Sequence, residues 1–367
     1  MRMLWKIGTL LLLVLSLARK ARSEGHVLGW GVNVAGQVTG VPSARSSEDV
    51  TGVVVLSEQV MSDVVAIAAG DAHSLALRRD GTVLGWGYNY YAQATGSPTK
   101  HSTAGVVRIK GAVLTNVVGA AAGWRHSLAL KRDGTVIGWG DDGEGQASAP
   151  SGLSNVVSVA AGYARSLALK ADGTVVAWGR SDAKVPAGLS NVVAIATGGA
   201  QYARNLALKA DGTVVAWGAD TDDAPPPPGL SNVIAIAVGE RHSLALKRDG
   251  TVFGWGLNTY GEATGVPSKS VRDVASGLVQ VDGRVLSNGV AIAAGNRYGL
   301  VGFGEPYGLA LKQDGTVVAW GHMAGRPAWV PAGLSNVVAI AAGQLHCLAI
   351  QSDGQPKESP YRPSTAR

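Results

Sequence analysis

The chain has 367 residues, with 51 Gly, 2 Phe, 1 Cys and a formal charge of +6. Gly is about 14%, twice its usual share, while charged residues at 16% fall well below the usual quarter. A missing Gly-X-Y period excludes collagen, 46% hydrophobic residues argue against disorder, and a lone Cys excludes an intramolecular disulfide framework.

The N-terminus carries Arg2 and Lys6, an apolar run over 7–18, and small residues at Ala21 and Ser23. That run is too short to span a bilayer as a helix, which needs about 20 residues. The pattern predicts a secretory signal peptide over 1–23, cleaved after Ser23 or alternatively after Ala18, and so a protein secreted or held in the periplasm. A buried N-terminal helix or an uncleaved anchor is the other reading. Five basic residues lie in this segment, leaving 27 basic against 26 acidic residues in the mature chain. Phosphate binding needs clustered positive charge, so nucleic acid is not an expected partner. Nor is a membrane span expected in the mature chain.

From there the chain repeats itself. NVVSVAAG (155–162) leads through RSLAL (165–169) and DGT (172–174) to AWG (177–179). Trp-Gly recurs at Trp30, Trp86, Trp139, Trp178, Trp217, Trp255 and Trp320, and Asp-Gly at Asp80, Asp133, Asp172, Asp211, Asp249, Asp314 and Asp353. A fixed period of this size indicates a solenoid or a propeller. LAL (75–77) alternates like a strand with two unlike faces, and TVLGW (82–86) is rich in β-formers. Asp80-Gly81 between them supplies the positive-φ residues of a tight hairpin turn. The AAG endings, as at 68–70, predict backbones crowded at a central axis.

The termini decide the architecture. The mature chain opens in mid-unit with Trp30 and stops in mid-unit after HCLAI (346–350), and the halves complete one unit. A solenoid would need polar caps, whereas a propeller closes by pairing its terminal strands. The expectation is an all-β, seven-bladed β-propeller over 24–354, closed by its N- and C-terminal strands, with a disordered tail over 355–367.

These motifs resemble the regulator of chromosome condensation repeat. Its hallmarks stand here as GWRHSLAL (123–130), DGTV (133–136) and WGVNVAGQ (30–37). The resemblance covers 25–354 and implies a propeller that serves as a protein-interaction platform. The founding nuclear member exchanges guanine nucleotide on a small GTPase and binds chromatin, a context from which an exported, near-neutral chain departs. Secreted bacterial relatives of this blade type include the β-lactamase inhibitory protein II. Fold is what such a resemblance extends, not target.

Function is sought where the repeat is broken. The long connections after Trp30, Trp86 and Trp255 each include an apolar strand that is expected to complete a blade's outer edge. The loop after each axial Gly varies most, with Trp124, Arg125, Tyr163, Tyr202 and Arg241 among its residues. Equivalent blades would place these around the channel mouth, and Tyr, Trp and Arg dominate protein-binding hot spots. The sixth unit inserts residues 296–307 at this loop, with Tyr298 and Phe303 as a candidate contacting finger. Tyr88, Tyr90 and Tyr91 form a second aromatic cluster whose face the sequence reading leaves open, with Tyr260 in the matching loop.

Catalytic and metal sites find little support. His73, His126, His242 and His346 each precede a Ser or Cys, but strand neighbours point to opposite faces and cannot pair as base and nucleophile. Cys347 fills a small-residue slot and is read as a buried, inert thiol. Asp141, Asp142, Asp220, Asp222 and Asp223 match no Ca²⁺ loop and read as solvated loop acids. No cofactor, metal or catalytic residue is assigned. The reading is a monomeric, exported, non-enzymatic propeller that binds a protein partner through one ring face, for instance as an inhibitor of an extracellular enzyme. A carbohydrate-binding or glycan-active propeller is the alternative, and guanine-nucleotide exchange is a third.

Overall fold

The structure is a computed structural model that describes residues 25–43, 49–180, 184–198, 204–218, 225–270, 273–295, 298–299, 302–303 and 305–352. The predicted signal peptide and the tail beyond 352 lie outside the described residues. Among those residues there is no helix, and hence none long and apolar enough to cross a membrane.

Seven antiparallel sheets form a seven-bladed β-propeller. Blade 1 comprises Val64–Ala69, His73–Arg78, Val83–Tyr88 and Ser102–Val106, from axis to rim. Blade 2 (Val117–Ala122, His126–Lys131, Val136–Gly140), blade 3 (Val156–Ala161, Arg165–Lys170, Val175–Gly179) and blade 4 (Val192–Gly198, Arg204–Lys209, Val214–Trp217) have three strands. Blade 5 starts at Val233–Val238 and ends at Val274–Leu278, and blade 6 runs from Gly289–Ala294 to the short Arg326–Pro327. Blade 7 joins the termini. Gly25–Val32 pairs with both His346–Ser352 and Asp49–Val53, with Trp30 opposite Cys347. The expected closure by terminal strands is therefore present, and the three long connections do supply outer strands. Each also adds a short hairpin, at 55–60, 108–113 and 280–285.

The second strand of each unit explains how blades adhere. Its period of two puts His73, Leu75 and Leu77 on one face and Ser74 and Ala76 on the other. Leu75 and Leu77 pack on Ala129 and Trp139 of blade 2. Leu128 and Leu130 then pack on Ala168 and Trp178, and Leu167 and Leu169 on Ala207 and Trp217. The ring closes with Leu348 and Ile350 against Ala76 and Trp86. Each core is thus an interface between blades, built from Leu-x-Leu (Leu-x-Ile in blade 7) of one and Ala plus Trp of the next.

The axial glycines are as crowded as the AAG endings predict. A Cβ on Gly70 would stand 2.5 Å from Gly123 O, one on Gly123 2.4 Å from Gly162 O, and one on Gly343 2.5 Å from Gly70 O. The hairpin turn differs from expectation. Only its Gly has positive φ (81° at Gly81), while Asp80 stays on the ordinary side. Gly81 N donates to Arg78 O, Arg78 N donates to Thr82 O, and Asp80 Oδ1 accepts from Thr82 N at 2.8 Å. This is a three-residue loop with a left-handed glycine, which the preferred side-chain bond of Asp to the residue two ahead holds in place.

Strand direction assigns the loops to faces. The inner strand ends at one rim, the Asp-Gly turn lies at the opposite rim, and the third strand returns to the first. The axial-Gly loops and the Trp-Gly loops therefore share what we call the upper rim. Backbone bonds tie them together, from Tyr88 N to Ala72 O and from Asp141 N to Arg125 O, both at 2.8 Å.

Candidate partner-binding rim

On blades 1–3 the upper rim carries one continuous stack. Trp124 and Tyr163, the first residues after the axial glycines of blades 2 and 3, lie face to face with centroids 4.0 Å apart and planes 15° from parallel. The Arg125 guanidinium carbon covers Trp124 at 3.5 Å from the ring centroid and Tyr91 at 4.6 Å. Arg125 Nη1 also donates to Tyr91 Oη at 3.0 Å. Tyr90 meets Tyr91 edge-on at 5.1 Å and is 56% exposed, so the ridge ends on an open aromatic face. Tyr88, half-buried at the end of its strand, and Tyr163 have phenols held above their ordinary range, in each case chiefly by burial.

The two aromatic clusters of the sequence are therefore one, joined by Arg125. Tyr91, one of the three tyrosines of the second cluster, is the member that bridges them. Arg241 is not brought to the stack; it lies on blade 5, three blades further round. Tyr202 lies outside the described residues, as do the side chains of Tyr298 and Phe303, although those two residues pair across a short hairpin. Tyr260 sits on blade 5's connection with its ring 5.1 Å from that of His322.

The histidines have a different role. His73 Nε2 lies 2.9 Å from Ser127 Oγ, His126 Nε2 2.9 Å from Ser166 Oγ, and His346 Nε2 2.9 Å from Ser74 Oγ. Each contact crosses to the next blade. The serines donate in turn to the carbonyls of Gln93, Gln146 and Gln37, at 2.8, 2.7 and 2.9 Å. With its proton committed to a carbonyl, each Ser accepts from imidazole Nε2–H, the reverse of what an activated nucleophile requires. These rings are fully buried, and burial lowers their pKa to about 3 for His73 and His346 and about 4 for His126. Where the Ser slot holds Asn205, Arg165 Nη1 instead reaches Gly198 O at 3.3 Å. Opposite Cys347, Tyr307 Oη donates toward Gly343 O at 3.0 Å.

The hallmark loop motif is also structural. Asn33 Oδ1 accepts from Val38 N at 2.8 Å while its Nδ2 donates to Val41 O at 2.7 Å, and Gln37 O receives Trp86 Nε1 at 2.9 Å. Asp142 takes the same place on blade 2, accepting from Ala147 N at 2.7 Å and Ser148 Oγ at 2.6 Å. It is an exposed loop acid, as expected, and also orders its loop. Asp220, Asp222 and Asp223 lie outside the described residues. Among the described residues, no group of three His, Cys, Asp or Glu side chains is placed to hold a metal ion.

Comparison with known proteins agrees with this architecture. The Regulator of chromosome condensation (RCC1) repeat matches at residues 64–93, 117–146, 156–183 and 233–262. Human HERC6, a probable E3 ubiquitin-protein ligase, is 31% identical over 126 residues, covering 34% of this chain and 12% of that protein. The regulator of chromosome condensation of Mus musculus is 33% identical over 126 residues, covering 33% of this chain and 28% of its own. The chain thus spans well under two thirds of these relatives' lengths. Human WBSCR16 superposes with a TM-score of 0.66 at 18% identity, over 89% of this chain and 100% of that one. Prp20p of Saccharomyces cerevisiae, whose structure was reported with its binding properties to Gsp1p and histones, gives 0.66 at 19%, over 91% and 93%. The chain is a seven-bladed β-propeller that carries RCC1 repeats at four positions.

Proposed function

We propose that this protein is an exported, monomeric propeller that binds a protein partner through the upper rim of blades 1–3. The observation that carries this reading is the pre-assembled ridge of Tyr90, Tyr91, Arg125, Trp124 and Tyr163. Large aromatic and guanidinium groups supply most of the energy of protein interfaces. Holding them stacked before binding lowers the entropy lost on association. The basic start, short apolar run and small residues over 1–23 support export. Inhibition of an extracellular enzyme is the concrete form, since a rigid rim can occlude a cleft.

A glycan platform is less well supported. Stacking a sugar needs open aromatic surface, and Trp124, the largest ring of the ridge, is already covered by Arg125 and Tyr163, which leaves Tyr90 as its one broadly exposed ring. The test is affinity capture from the native exported fraction with wild type, Trp124→Ala and Tyr163→Ala. Loss of a specific protein with both variants supports the reading, and equal recovery with all three overturns it.

A further inference from the structure

Arg125 has an unusual position for a cation. It is half-buried between the rings of Tyr91 and Trp124, and Tyr91 Oη takes one of its N–H donors. Its Nε–H is buried with no acceptor, and among the described residues no carboxylate pairs with the guanidinium. The contrast with the opposite rim is clear. There Lys131, Lys170, Lys209, Lys247 and Lys312 each face the Asp two residues on, at 3.3–3.9 Å. Those five lysines are neutralised within their own turns, whereas Arg125 is held by two aromatic rings with no carboxylate against it among the described residues.

We infer that Arg125 is the receptor for a carboxylate of the partner, an Asp or Glu side chain carried on a segment whose flanking apolar residues lie along Tyr90 and Tyr163. This rests on the upper-rim reading and deepens it. A guanidinium held between an indole and a phenol, with one Nη1–H given to Tyr91 Oη, is fixed in place and keeps further N–H donors for a charge-assisted carboxylate bond. Partial burial raises the worth of that bond, because the cation has already lost part of its hydration before the partner arrives. The aromatic walls make an acid alone insufficient. The favoured partner segment is acidic at one position and apolar or aromatic beside it.

The test uses the full mature protein and a displayed library of random peptides about a dozen residues long, selected by wild type, Arg125→Gln, Arg125→Lys and Trp124→Ala. Wild type is expected to enrich peptides with Asp or Glu at one fixed position beside an apolar residue. Synthetic versions of these peptides should lose affinity roughly tenfold to a hundredfold when the acid becomes its amide, and similarly against Arg125→Gln. Arg125→Lys keeps the charge without the planar fork, so it should retain the acid preference at reduced affinity. Unchanged thermal unfolding of the Arg125 variants separates recognition from folding. Selected peptides that bind the rim, as shown by loss with Trp124→Ala, but lack an acidic position overturn the carboxylate assignment while leaving the rim reading intact. Peptides indifferent to Trp124→Ala overturn both. Failure to select any peptide also counts against the assignment, because a preformed receptor for a short acidic segment should capture one.

Discussion

His73 Nε2 and Ser127 Oγ, 54 residues apart in sequence, lie 2.9 Å apart across the junction of blades 1 and 2. The contact belongs to the adhesion between blades, and it couples that adhesion to protonation. A buried imidazole that gains a second proton brings an uncompensated charge into an apolar junction, which costs far more than the hydrogen bond contributes.

Acid should therefore weaken the fold well above the carboxylate range. His73, His242 and His346 have pKa values lowered to about 3, and His126 to about 4, all chiefly by burial. The unfolded chain takes these protons near pH 6.5 and the folded chain does not. Stability is then complete above about pH 6.5 and falls as pH drops toward the folded values, on the order of 1.4 kcal/mol per pH unit for each histidine. Urea midpoints between pH 7 and 4.5 measure this, and His126→Asn should reduce the slope by about one histidine's share.

The axial glycines make a paired prediction. Gly123→Ala would set a Cβ 2.4 Å from Gly162 O and should cost about 1–3 kcal/mol or more. Gly105, in the outer strand of blade 1, has nothing within 4 Å of an added Cβ and an ordinary φ. Gly105→Ala should leave stability unchanged or raise it by about 0.4–1 kcal/mol through the unfolded chain. Thermal unfolding of the two variants distinguishes a crowded axis from a general intolerance of Ala.

Closure by the N-terminal strand is testable at one side chain. Trp30 is fully buried, and its Nε1 donates to Trp329 O at 2.9 Å, linking blade 7 to the connection leaving blade 6. Trp30→Ala should cost about 3–5 kcal/mol. Removing residues 1–32 should abolish the single cooperative transition, read by calorimetry.

Cys347 is buried beside Tyr307, and burial pushes its thiol up to about 12. Since the thiolate is the reactive form, a disulfide-exchange reagent at pH 8 should label no thiol in the folded protein. One should be labelled in denaturant.

Much of this was legible in the sequence because the repeat restates each rule several times. Trp-Gly and Asp-Gly fixed the strands, the half-units at the termini implied the closure, and AAG implied the crowded axis. The face of Tyr88, Tyr90 and Tyr91 was legible too, had strand direction been followed from Gly70 through Gly81 to Gly87. Two features were hidden for physical reasons. The His73–Ser127 contact depends on register between blades, which no local pattern encodes. The approach of Tyr91 to Arg125 depends on how the 89–101 connection folds back, held by Asn89 Oδ1 accepting from Ala94 N at 2.8 Å. The Asp-Gly turn was misassigned because the dipeptide serves both a two-residue loop and the three-residue loop found here.

Site-directed photo-crosslinking tests the central claim most directly. A photoreactive phenylalanine derivative would replace Tyr90 or Tyr163 on the upper rim, or Asp211 on the opposite rim, in the exported protein under native conditions. The account predicts a discrete adduct with one partner protein from positions 90 and 163 and none from 211. An adduct from position 211 with none from the upper rim would contradict it.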